Sequence, residues 1–256
     1  MSTRFPYPFR PLDYMTGPHD NTGANMLGLG TNDATQRYIC GTRKMLWDGS
    51  VFKYCKAGAT LTSYQSAVWD EATGAAVSYE SLPGGESAGS TEVTLTQGSI
   101  TEDQYTGGYI LIFHATGDGG LYGIQGNEAT KGTTTKLTLD RQVPVALTSS
   151  DSMELYANPY SSIAQGDTSG LQGFIGLPMA ILTDLYYGWI KTWGPAFCSP
   201  QTTVGAAQKN GCWFRDDGSI NVHSDIDTGT TSQYAGYVMV GDAAGDGPII
   251  MLQVSI

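Results

Sequence analysis

Arg37-Tyr38-Ile39-Cys40-Gly41-Thr42-Arg43-Lys44-Met45-Leu46-Trp47-Asp48-Gly49-Ser50-Val51-Phe52-Lys53-Tyr54-Cys55-Lys56 carries the first clear periodicity in the chain. Two alternating segments flank Asp48-Gly49, and a D-G pair in that setting is a strong short-range signal for a β-hairpin. The same pattern recurs downstream. Strands are expected at 92–96, 108–115, 136–139, 143–147, 153–157, 174–175, 185–192, 211–214, 220–223, 234–241 and 249–256. Turn signals separate them, among them Asp118-Gly119-Gly120, Asp217-Gly218 and Asp246-Gly247. Pro144 confines its segment to an edge or a strand start, because proline cannot donate to a ladder. Only 62–71 has a helix-like pattern. Many short strands without intervening helices exclude a βαβ fold and predict an all-β protein of barrel or sandwich type.

Composition agrees. The chain has 256 residues, 34 of them glycine, with 14% charged and 40% hydrophobic residues. An average protein has about 25% charged residues and about 7% glycine, so this one is rich in turn formers and poor in the Glu and Lys of exposed helices. Aromatic content of 11% excludes disorder for the bulk of the chain. The glycines lack a G-X-Y period, which excludes collagen.

Thirteen Lys and Arg against 24 Asp and Glu give a net charge of −11. Such a surface repels phosphate backbones, so no nucleic-acid partner is expected. No apolar run reaches the ~20 residues of a membrane span, and no membrane partner is expected. The first residues have no signal-peptide pattern, which makes the cytoplasm the expected compartment of synthesis.

Residues 1–36 contain four prolines and scattered glycines without a period of two or 3.6, and read as an extended N-terminal arm. Its aromatics, Phe5, Tyr7, Phe9 and Tyr14, are unusual for a solvated tail. They predict packing against a neighbouring subunit or a wrap around the arm's own domain. A composition shift across 159–169 marks a boundary. The expected organisation is an arm (1–36), a β-rich domain (37–165) and a small C-terminal β-barrel (166–256).

Motifs with catalytic form sit in the wrong context. Gly85-Glu86-Ser87-Ala88-Gly89 matches the nucleophile elbow, which requires a strand before it and a helix after it. Here turn residues precede it and a strand-like segment follows. Tyr187 and Lys191 match the Y-x-x-x-K of short-chain dehydrogenases, but that chemistry needs both on one helical turn, and Gly194-Pro195 closes the segment. Asp216-Asp217-Gly218 and Asp242–Gly247 lack the twelfth-position acid of a calcium loop and read as tight turns. Cys40, Cys55, Cys198 and Cys212 lack zinc-site spacing. A Cys40–Cys55 pair would fit one hairpin, although buried free thiols are the simpler reading. No catalytic, metal or cofactor site is expected.

Tyr187, Trp189, Lys191 and Trp193 alternate on one strand and are expected to share one face and one environment. As core residues they would hold the sheet. As an interface they would anchor a neighbouring subunit, a role favoured for Trp and Tyr.

Several stretches resemble virion structural proteins of tailed bacteriophages. They are 37–43 with 48–58, 107–110 with 122–127, Tyr187-Gly188-Trp189-Ile190-Lys191-Thr192-Trp193-Gly194-Pro195-Ala196, and Gly236-Tyr237-Val238-Met239-Val240-Gly241-Asp242. The last two are similar to the opening and closing strands of the small β-barrel in capsid decoration (cement) proteins. The resemblance implies a non-enzymatic, all-β homo-oligomer, often a trimer. Its partner would be the major capsid protein, and its place the capsid exterior of a virion assembled in the host cytoplasm. Many decoration proteins are half this length or less, so a second role for the first β-domain stays open. A tail or fibre component and a glycan-binding β-module share the same composition and are the alternatives.

Overall fold

The computed structural model describes residues 28–69, 77–113, 119–166, 173–201, 203–206, 210–222, 233–241 and 247–255, with side chains described for all of these except 77–81. The fold is all-β, with two curled sheets and no α-helix among these residues.

The chain divides into unit 1, Met1–Asp70 with Tyr160–Ile256, and unit 2, Glu71–Pro159. This differs from the division expected at 165/166. The reason lies in one strand pairing. The hairpin β1 (Arg43–Met45) and β2 (Val51–Lys56) does not build a sheet with the strands that follow it. Instead β2 pairs with β12 (Tyr187–Phe197), from Tyr187↔Lys56 to Trp193↔Val51. Unit 2 is therefore an insertion between segments of one sheet, and a boundary search along the chain locates only one of its ends.

The hairpin forms as its sequence dictates. Gly49 adopts φ +81°, Asp48 accepts a hydrogen bond from the Ser50 amide at 2.9 Å, and the Leu46 amide donates to the Ser50 carbonyl at 2.8 Å. The loop spans 46–50, longer than a two-residue turn.

The unit 1 sheet runs β10 (Ile163–Gln165), β3 (Ala67–Trp69), β11 (Phe174–Pro178), β12, β16 (Ile249–Gln253), β15 (Gln233–Val240), β13 (Gly211–Phe214) and β14 (Ile220–Asn221), with β1 and β2 attached at β12. Its main core contains Phe174, Leu177, Ala196, Cys198, Cys212, Phe214, Ile250 and Leu252. Burying apolar side chains is the main source of stability in such a sheet, at about 1.5–3 kcal/mol each.

Unit 2 is a six-stranded antiparallel sheet ordered β4 (Val77–Ser81), β9 (Ser152–Tyr156), β6 (Tyr109–Phe113), β7 (Gly119–Asn127), β8 (Thr134–Leu139) and β5 (Glu92–Thr96). Val93, Leu95, Ile110, Ile112, Leu137, Leu139, Met153 and Leu155 face inward at alternate positions and form one core.

Three local expectations are corrected. The stretch 62–69 forms turns and β3 in place of a helix, with Ser66 held by Gly218: its amide and hydroxyl both donate to the Gly218 carbonyl. The segment 143–147 buries Val143 and Leu147 but forms only an isolated bridge, Glu86↔Leu147. Gly119 and Gly120 belong to β7. All four cysteines are free thiols, with Cys55, Cys198 and Cys212 buried. Burial pushes the Cys40 thiol up to about 12, and the Cys55 thiol is raised by the same cause.

Candidate interaction surfaces

Tyr187 and Trp189 meet Tyr54 and Phe52 across the β2–β12 pair in a small core with Leu29, Tyr38 and Leu46. The rings of Tyr38 and Tyr54 lie 5.1 Å apart, Tyr54 and Trp189 5.2 Å, and Tyr54 and Tyr187 6.0 Å. The first two pairs meet edge to face and the third is stacked, and aromatic pairs of either kind add about 0.5–1.5 kcal/mol beyond area burial. The Tyr54 hydroxyl accepts from the Arg37 amide at 3.0 Å, and burial pushes that phenol up to about 12.

Three lysines lie over the rings: Lys44 over Trp189 at 5.6 Å, Lys56 over Tyr187 at 5.7 Å, and Lys191 over Phe52 at 5.6 Å. Burial lowers the pKa of Lys44 and Lys191, and the Lys191 ammonium donates to the Pro195 carbonyl. These contacts place the ammonium groups next to ring faces. Trp189 is only 4% exposed, so this layer is internal packing of unit 1 and offers little surface to a partner.

Trp193 does not share that layer. The β2–β12 register shifts between Lys191 and Trp193, leaving Thr192 as an extra residue on β12. A bulge of this kind puts two residues opposite one and reverses the alternation beyond it. Before the bulge, Trp189 and Lys191 point to the inner side, where Leu177 pairs with Lys191. Beyond it, Ala196 and Cys198 take the inner side and join the core with Leu177. Trp193, Pro195 and Phe197 consequently turn to the outer side, the side that carries Ile190.

On that outer side Pro195 aligns with Met251 and Tyr237, and Phe197 aligns with Ile249 and Val240. Tyr237 and Ile249 are each 44% exposed and Val240 58%. Tyr64 reaches one end, its ring 5.2 Å from that of Phe197.

Unit 2 presents a second apolar sheet face. Ile110 and Ile112 point into its core, so Tyr109, Leu111 and Phe113 point out, paired with Gly123, Leu121 and Gly119 on β7. Tyr109 is 43%, Phe113 38% and Leu121 50% exposed. The signal was present in the sequence. A sheet buried on one side alternates apolar and polar residues, whereas Tyr109-Ile110-Leu111-Ile112-Phe113 is apolar at every position. Glycines on β7 leave those outward side chains standing above a low neighbour.

The catalytic-looking motifs lie apart from both faces. Ser87 is exposed in a turn between Gly85 (φ +75°) and Gly89 (φ +87°), with no helix after it. Tyr187 and Lys191 are four residues apart on a strand, where Tyr187 stacks on Tyr54 and Lys191 turns to Pro195. Asp217 caps its own turn by accepting from the Ser219 amide at 2.9 Å. Among the described residues no group of three or more His, Cys, Asp or Glu is placed to hold a metal ion. Asp242–Asp246, and the arm aromatics Phe5, Tyr7, Phe9 and Tyr14, lie outside the described residues. The end of the expected arm is already packed on unit 1. Asp33 and Tyr187 exchange backbone hydrogen bonds at 3.0 and 2.8 Å, and Leu29 joins the Trp189 layer. No helix among the described residues is long and apolar enough to cross a membrane. Comparison with protein families, with curated proteins and with solved structures finds no match for the chain.

Proposed function

We propose that the chain is a non-enzymatic structural protein of a tailed-bacteriophage virion, a decoration (cement) protein that binds the major capsid protein on the capsid exterior as a homo-oligomer, in the family's manner a trimer. The observation that carries this reading is the apolar outer face of unit 2. Tyr109, Leu111, Phe113 and Leu121 form a contiguous row of side chains on a chain of net charge −11. Exposed apolar patches on soluble proteins mark contact surfaces, and aromatic residues are enriched in the cores of such contacts. The resemblance to decoration proteins supports it further, since the stretches that carry it become β12 and β15, the two strands that flank β16.

Leu121→Asp tests the contact. Leu121 projects outward from a strand and is half exposed, so the charge is compatible with folding while it interrupts the apolar row. The variant is expected to keep its melting temperature within a few degrees and to lose at least about tenfold in affinity for capsids lacking the protein, measured by co-sedimentation. Undiminished binding would show that this face is not the contact. Saturable binding to a glycan array by the unmodified protein would favour a carbohydrate-binding role instead.

A further inference from the structure

The charges of the chain are unevenly placed. Residues 37–56 hold Arg37, Arg43, Lys44, Lys53 and Lys56 against one carboxylate, Asp48. Unit 2 (71–159) holds eleven Asp and Glu against three Lys and Arg, a net charge of −8. Its three cations are ion-paired, Lys131 with Glu128, Lys136 with Glu92 and Arg141 with Asp140. In unit 1, Arg37 pairs with Asp33, and Lys44, Lys56 and Lys191 lie over rings on one side of β2 and β12. Arg43 and Lys53 are left over. They face each other across β1 and β2 on the side that carries Ile190, and neither is ion-paired among the described residues.

That pair is unfavourable in the chain alone. Like charges directly opposite on a sheet repel. Lys53 reaches only the Tyr160 ring, at 6.0 Å, and burial, with the Arg43 charge after it, lowers its pKa. Charges on an edge strand keep it from pairing further, which accounts for Arg43 on β1, but Lys53 lies on β2, between β1 and β12. A carboxylate brought from outside relieves both groups. Trp47 stands at the tip of the same hairpin and, at 77%, is the most exposed large apolar side chain described.

We propose that this hairpin binds unit 2 of a second copy of the chain, head to tail, with Arg43 and Lys53 on the Glu102–Asp103 turn and Trp47 as the apolar part of the contact. The contact serves the homo-oligomer proposed above and rests on that part of the reading.

The turn offers what the pair lacks. Elsewhere in unit 2 the described carboxylates are engaged: Glu92, Glu128 and Asp140 with cations, Glu86 with the Thr94 amide, Asp151 with the Thr148 amide and Glu154 with the Tyr156 hydroxyl. Glu102 and Asp103 are adjacent, exposed and not ion-paired. The Asp103 amide donates to the Asn127 carbonyl at 2.9 Å, and its carboxylate accepts from the Thr106 hydroxyl at 3.0 Å. An already ordered turn loses little freedom on binding.

Charge complementarity selects a second copy as the occupant. Two chains of net charge −11 repel at long range, so they associate where a basic surface of one meets an acidic surface of the other. Each copy carries both. Such a contact is heterologous and generates a ring, a trimer included, when the rotation between copies closes. The charges set orientation and salt dependence, while a buried Trp supplies affinity.

Sedimentation velocity of the full chain, with no capsid present, tests the contact. The unmodified chain is expected to self-associate at micromolar concentration and to weaken at least about tenfold between about 0.05 and about 0.5 M salt. Arg43→Glu with Lys53→Glu, and separately Glu102→Lys with Asp103→Lys, should each give a folded monomer. Mixed in equal amounts, the two should form a dimer of one copy of each, because one intact hairpin then meets one intact turn and no further contact can form. Arg43→Glu alone places opposite charges across β1 and β2, so it keeps the hairpin folded and should weaken association severalfold even if the double reversal unfolds. Trp47→Ser, at an exposed position, should do the same with the melting temperature unchanged within a few degrees. A monomeric unmodified chain, association that these variants leave unchanged, or a mixture that stays monomeric would overturn the proposal. Capsid binding is read separately by co-sedimentation, so the failure of this contact and the failure of the capsid reading are told apart.

Discussion

Gly236→Ala is expected to abolish the native fold of unit 1. Gly236 lies in β15 at φ +143°, where side chains other than hydrogen are strained. A Cβ there would lie 1.9 Å from the Met251 carbonyl oxygen and 2.9 Å from its carbonyl carbon, both backbone atoms of the neighbouring strand. No rotamer change relieves a clash with backbone, so β15 and β16 must separate at Gly236↔Leu252. That pair sits in the middle of the sheet, with Ala235, Ile250 and Leu252 directly beneath in the core. The cost should exceed about 4 kcal/mol, which belongs to the exceptional tail of single substitutions. A domain of this kind has only about 5–15 kcal/mol in total. Urea unfolding followed by tryptophan fluorescence measures it, since Trp189, Trp193 and Trp213 all lie in unit 1. A loss below about 1 kcal/mol would contradict the close β15–β16 approach.

Trp189→Ala and Trp193→Ala should separate widely although the two residues sit four apart on one strand. Trp189 is enclosed by Tyr38 and Tyr54 and supports the Lys44 ammonium, so its truncation is expected to cost about 3–5 kcal/mol. Trp193 stands on the opposite side of the sheet beyond the bulge, only partly buried, and its truncation should cost about 1 kcal/mol. Thermal unfolding of the two variants side by side measures the difference. Equal costs would mean that the bulge at Thr192 does not reverse the strand and that the two indoles share one environment.

That pair also marks where the sequence stops being legible. Strand alternation is a local property, and it located β5 and β13 to the residue and most other strands to within a few positions. A bulge is set by how two strands pair, and the partner Val51 lies more than a hundred residues upstream of Trp193. Gly194 at φ +103° was the one local sign of an irregularity. The insertion of unit 2 was hidden for a similar reason. Nothing in the hairpin 43–56 records that its partner is Tyr187–Trp193 rather than the strands that follow it.

The aromatic cluster at Tyr187 and Trp189 was legible as important, but its side of the sheet was not. Its rings pack with Tyr54, itself fully buried, and serve the fold. The faces open to a partner were carried by less conspicuous residues. Leu111 and Leu121 in unit 2, and Ile249 and Met251 in unit 1, look like ordinary core residues until the register shows which way they point. Strands β3, β4, β7 and β10 were not expected: three residues in β3 and β10 show too little of a period to read, and the four glycines of β7 interrupt its alternation.

The proposed virion role is tested most directly by quantitative gel densitometry of particles purified from a host strain that produces this chain. A decoration protein occupies the shell in numbers that rival its major capsid protein. The proposal therefore predicts a band whose molar amount is comparable to that of the major capsid protein and which stays with the shell when tails are removed. A band at a few copies per particle that leaves with the tails, or no band at all, would contradict it.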